Sequence, residues 1–175
     1  MSYATSLFAI DLDQLSRIIA EHNTSVVQEV KNSEPDQFEK IMFDGDPTLG
    51  DALTQIVLGS DKDTAYSHQY GYALKLLCQV LGEWLPDDDM IADLEPLELN
   101  SPLEQYRVPI DIPANSDFPF ISFLTAAEVR QEAERLARMN LRYPDDEDIE
   151  EAREAYANCI AKAAADGKAV VSFYS

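Results

Sequence analysis

An apolar, β-rich run stands at each end of this chain, and most of what lies between has the periodicity of helix. Tyr3 to Ile10 carries Leu7, Phe8 and Ile10, and the last residues read Ala169-Val170-Val171-Ser172-Phe173-Tyr174. A single strand leaves its backbone N–H and C=O groups unpaired, so each run needs the other. The expected fold is therefore α+β: a predominantly helical single domain, residues 1–175, with a small sheet formed by the N-terminal and C-terminal strands. A chain of 175 residues suits one domain and buries roughly 70% of its unfolded surface, so neither disulfide nor metal is needed to hold it.

The helices can be placed by their apolar stripes and end signals. Asp11 is a cap for a helix carrying Leu12, Leu15, Ile18 and Ile19, and a short helix follows near Ser25 to Lys31. Pro35 suits the first turn of the next, which carries Phe38, Ile41 and Met42. Asp46-Pro47-Thr48 opens a helix through Leu49, Leu53, Ile56 and Val57 that stops at Gly59. The most apolar stretch, Tyr66 to Trp84, reads as the central core helix, with Trp84 anchoring its end and Pro86 closing it. Thr125-Ala-Ala-Glu128 is a capping box. The helix it opens buries Val129, Ala133, Leu136 and Ala137, with Glu134 and Arg138 paired on its outer side. From Pro144 a last helix turns Ile149, Ala152, Tyr156, Cys159, Ile160 and Ala163 inward and ends at Gly167.

Between Pro86 and Pro119 the texture changes. Prolines at 86, 96, 102, 109, 113 and 119 forbid a long helix. This is read as a proline-rich acidic excursion on the surface, with short edge strands at Tyr106 to Ile112 and Phe118 to Phe123. A linker between two domains is the other reading.

Charge narrows the function. Thirty-three acids against thirteen bases give a formal net charge of −20. Such a surface repels nucleic acid and anionic membranes and favours basic proteins, polyamines or divalent cations; solubility alone is the plainer explanation. The N-terminus lacks a basic signal-peptide start, and no apolar stretch reaches the ~20 residues that span a bilayer. Cys78 and Cys159 fall among apolar residues without metal or redox spacing and read as buried free thiols. A cytoplasmic protein is expected.

Few residues invite a chemical reading. Asp44-Gly45-Asp46 lacks the ligand pattern of a calcium loop, and Asp145-Asp146-Glu147-Asp148 suits a helix first turn. Asp87, Asp88 and Asp89 are harder to dismiss. With Asp93, Glu95 and Glu98 they extend one sign along a stretch holding no base between Pro86 and Tyr106, and they form the candidate partner surface. A candidate pocket is suggested by His68, Tyr70 and Tyr72 at the entry of the core helix, where His68 would be the general base; packing tyrosines are the plainer reading. His22 suits a helix C-terminus. Two histidines and no Cys/His spacing argue against zinc, and no phosphate loop, dinucleotide fingerprint, nucleophile elbow or kinase signature occurs. No cofactor and no catalytic residue is expected.

The order of parts resembles small bacterial proteins of the YfbM-like kind. The likeness lies in the strand and acid-capped helix of Tyr3 to Ile19, the aromatic and leucine-rich Tyr66 to Gly82, and the closing strand Lys168 to Tyr174. The resemblance implies an α+β fold with paired terminal strands and transfers no active site. The function expected from the residues is a non-enzymatic acidic binding module, immunity- or inhibitor-like, that engages a basic partner. The alternative is a small-ligand binder or enzyme at His68, Tyr70 and Tyr72, and mimicry of nucleic acid by carboxylates ranks below both.

Overall fold

The computed structural model describes residues 4–41, 44–85, 94–114, 118–143 and 146–175. The expected terminal strands pair: β1 (Thr5–Ile10) and β4 (Ala169–Tyr174) run antiparallel, with Thr5 opposite Tyr174 and Ile10 opposite Ala169. They form the middle of a four-stranded sheet of order β2-β1-β4-β3, in which β2 is Glu83–Leu85 and β3 is Phe120–Leu124. The fold is α+β.

Contacts group the described residues into two units. The first draws on 1–10, 84–109 and 121–175; the second on 11–83 and 110–120. In the first, α6 (Ala126–Leu136) and α7 (Glu147–Ala165) pack on each other and on β4. Strand alternation sends Leu7, Ala9 and Val170 to one side of the sheet, where they join Leu124, Val129, Leu136, Tyr156 and Ile160 in a single core. Phe8 and Phe173 face the other way and meet edge to face at 5.8 Å.

The second unit is helical: α1 (Leu12–Ala20), α2 (Ser25–Ser33), α3 (Pro35–Phe38), α4 (Leu49–Leu58) and α5 (Ser67–Leu81). Asp11 caps α1 by accepting from the N–H groups of Asp13 and Gln14. Thr48 and Asp51 make a reciprocal capping box on α4, and Gly59 ends that helix at φ 65°, where a β-carbon would be strained. Leu53, Ile56, Leu74 and Leu77 are all but fully buried. At Gly50 the ring of Phe38 lies so close that an added β-carbon would sit 2.4 Å from it. Gly50→Ala is therefore expected to destabilise the protein by about 1–3 kcal/mol, the range for overpacking, as read from a urea titration.

Several expectations are corrected. The core helix stops at Leu81; Gly82 is extended, and Trp84 lies on β2, 54% exposed and 6.3 Å from the Phe8 ring, so it anchors no helix end. The helix at Pro35 spans one turn, leaving Ile41 48% exposed, while Met42 lies outside the described residues. Residues 106–112 form no strand; Arg107 donates its N–H to the Ile121 carbonyl at 3.0 Å, and prolines interrupt anything longer. Most telling, residues 94–104 are not a surface excursion. Leu94, Leu97, Leu99 and Leu103 all belong to the sheet-side core of the first unit.

Candidate functional site

Leucines and acids are interleaved between 94 and 104, and the fold separates them. Two single turns of 3₁₀ helix, Glu95–Leu97 and Pro102–Glu104, each hold a proline in one of their first two positions, where it presets φ. Glu98 and Asn100 both take φ 50°, a left-handed conformation that costs non-glycine residues roughly 1–2 kcal/mol. Those bends let Leu97, Leu99 and Leu103 point inward while Glu95 and Glu98 stay exposed. The Glu98 side chain is 67% exposed. Of the candidate partner surface, Glu95 and Glu98 are thus displayed on a core-anchored segment. Asp87, Asp88, Asp89 and Asp93 lie outside the described residues.

Two side chains of α7 hold this segment. Arg153, buried, donates through Nε to the Leu97 carbonyl at 2.7 Å. Its Nη2 stands 4.0 Å from the Glu98 carboxylate, and its guanidinium lies over the Tyr143 ring at 4.6 Å. Tyr156 shares a short hydrogen bond with the Ser101 hydroxyl, and Ser101 forms a capping box with Glu104. Burial pushes the Tyr156 phenol well above its ordinary range. Behind Tyr156 stands Glu132, only 3% exposed, which accepts two 2.7 Å bonds from Arg135 and lies 3.4 Å from the Tyr156 hydroxyl.

Sequence reasoning missed Glu132 and Arg153, although a signal existed. Glu132 is three residues from Val129 and four from Leu136; Arg153 is four from Ile149 and three from Tyr156. Each charge falls inside its helix's apolar stripe, where a paired and buried group is the natural inference.

Arg107, the first base after the acidic stretch, lies over the Phe123 ring at 4.5 Å and donates to Glu128 at 3.0 Å. Glu128 closes the capping box of α6 on Thr125. The Thr125 backbone N–H, and then Arg107, hold the Glu128 carboxyl below its ordinary value of 4.5. Its contribution to stability is therefore complete above that value and lost as pH falls through the lower, folded-state value. Glu128→Gln is expected to flatten the acid limb of the stability–pH curve, measured by urea titrations below pH 5.

The candidate pocket residues go separate ways. Tyr70 is turned into the core of the second unit, where its hydroxyl donates to Gln55 at 2.6 Å and accepts from the Asp63 N–H at 3.1 Å. His68 Nε2 lies 2.7 Å from Asp46 Oδ2, which also accepts from Gln69 at 3.1 Å. Asp46 thus ties the 44–48 turn to α5, and Thr48 is the residue that caps α4. Tyr72 lines a cavity together with Lys75 and Lys40. His22, at φ 51°, turns its ring to within 3.3 Å of the Val57 carbonyl near the end of α4. Cys78 and Cys159 are buried free thiols, and burial raises both. Asp146 caps α7, and Glu147 and Asp148 lie in its first turn. Among the described residues no three His, Cys, Asp or Glu side chains are grouped to hold a metal ion, and no helix is long and apolar enough to cross a membrane.

Comparison with curated proteins and with solved structures finds no match. One family model covers the whole chain, residues 1–175, so the protein belongs to the family described as "Domain of unknown function (DUF7691)".

Proposed function

We propose that this chain is a non-enzymatic binding module whose acidic surface engages a basic protein, as immunity and inhibitor proteins do. The observation that carries the reading is the display of Glu95 and Glu98 on a segment fixed by buried leucines, within a stretch that contains no base from 86 to 106. Acids held in place by a core have less ordering cost to meet on binding than acids on a loose loop. A net charge of −20 adds long-range attraction to a cationic partner and repels nucleic acid and anionic lipid. Free buried cysteines suit the reducing cytoplasm, where we place the protein.

Charge reversal is the direct test. Glu95→Lys with Glu98→Lys, and separately Asp87, Asp88 and Asp89→Lys, should slow association with the basic partner by about tenfold at low salt, since charges at an interface act chiefly on the on-rate. Unchanged association in both variants would mean that the interface lies elsewhere.

A further inference from the structure

Lysine is scarce in this acidic protein, yet two lysines converge on one cavity of the second unit. The cavity measures about 240 Å³, below the roughly 300–1,000 Å³ typical of pockets for drug-sized ligands, and so suits a metabolite. One wall is α5, which presents Tyr72, Lys75, Leu76 and Gln79 at successive i, i+3, i+4 and i+7 positions. The opposite wall is the chain around α3. Glu34 stands just before it, Gln37 lies within it, and Lys40 follows it, its carbonyl accepting from the Leu49 N–H at 2.9 Å. That bond pins the Lys40 backbone to the start of α4.

The lining has an uneven chemistry. Lys40 and Lys75 are like charges on a shared space, and Lys75 is held below the usual lysine range, first by burial and then by the nearby Lys40. Glu34 offsets one of the two, so the lining carries a net charge of about +1 (two ammonium groups against one carboxylate). Tyr72, Gln37 and Gln79 add groups able to donate hydrogen bonds, and Leu49 and Leu76 supply an apolar side. An anion placed between the two ammoniums relieves their repulsion, and one negative charge balances the lining.

We propose that this cavity binds a small organic monocarboxylate. Its carboxylate sits between Lys40 and Lys75, within reach of Tyr72 and the two glutamines, and its carbon chain lies against Leu49 and Leu76. Glu34 disfavours ligands of higher charge, such as inorganic phosphate or polyphosphates. The site is independent of the acidic surface and stands whether or not a basic protein binds there.

The test uses the full chain labelled with ¹³C at lysine Cε and titrated with hexanoate, hexanamide and inorganic phosphate. The signals of Lys40 and Lys75, assigned from Lys→Arg variants, should shift and saturate with hexanoate and stay still with hexanamide. Phosphate should act much more weakly. In calorimetry, Lys75→Met should weaken hexanoate binding at least tenfold, while Lys162→Met, outside the cavity, should leave it unchanged. The proposal fails if those two signals do not saturate, if hexanamide moves them equally, or if phosphate matches hexanoate, which would mean general charge screening. Should Lys75→Met fail to fold, the titration of the unaltered chain decides alone.

Discussion

Arg135→Met is expected to destabilise the protein by about 3–5 kcal/mol, the range for breaking a buried ion pair by removing one member. On exposure alone the change looks mild, because the Arg135 side chain is 37% exposed. Its partner is the reason for the cost: Glu132 is 3% exposed, and both its oxygens receive 2.7 Å bonds from Arg135. Without Arg135, the described bonds leave that carboxylate only the Tyr156 hydroxyl at 3.4 Å. A buried charge so poorly compensated is among the few causes of large single-site losses. The double variant Glu132→Leu/Arg135→Met should recover much of the loss, since apolar replacement of a whole buried pair is often neutral or better. Urea titrations of the four proteins give the coupling energy. A loss below about 1 kcal/mol for Arg135→Met would place the pair with ordinary surface ion pairs and contradict this account.

Leu103→Ala is expected to cost about 2–5 kcal/mol, the range for truncating a buried leucine. Leu103 is 1% exposed and packs with Leu97 and Leu99 in the sheet-side core of the first unit. If residues 94–104 were a surface excursion, the same change would fall within about 0.5 kcal/mol. Hydrogen exchange adds a local readout: the hydrogen-bonded amides of Leu97, Glu98, Ser101, Leu103 and Glu104 should be protected in the native protein and lose protection in the variant before those of β1 and β4. Uniformly fast exchange across that segment in the unaltered protein would remove the basis for a fixed acidic display.

The pairing of the ends was legible because it follows from an accounting rule: backbone groups need partners, and the two terminal runs were the plainest β-rich segments. Capping at Asp11 and Thr125 was legible because the signal is local and chemical, while at 46–48 only the helix start was read and not Thr48 as its cap. The buried leucines of 94–104 were not. Their spacing of three, two and four fits neither the helical nor the strand period, and the interleaved acids and prolines read as solvent. Left-handed φ at Glu98 and Asn100 makes that irregular spacing consistent with one buried side, and no propensity announces it at a glutamate. Trp84 was misplaced for a related reason: the apolar stripe of α5 runs on smoothly, but extended Gly82 sends the chain into β2. The grouping of His68, Tyr70 and Tyr72 was broken at Tyr70. Alternate residues of a helix point to nearly opposite sides, so Tyr70 went to the core while Tyr72 reached the cavity.

The claim that matters most is that the acidic segment recruits a basic protein. The measurement is an affinity capture from host extract with the tagged chain and its Glu95→Lys/Glu98→Lys and Asp87, Asp88, Asp89→Lys variants. Each is washed at roughly 50 mM and 500 mM salt, a range over which exposed charge pairs become screened. The account predicts a basic protein held by the unaltered chain at low salt, released at high salt, and lost or much reduced in at least one variant. Capture that is indifferent to both salt and charge reversal, or capture of no basic protein, would contradict it.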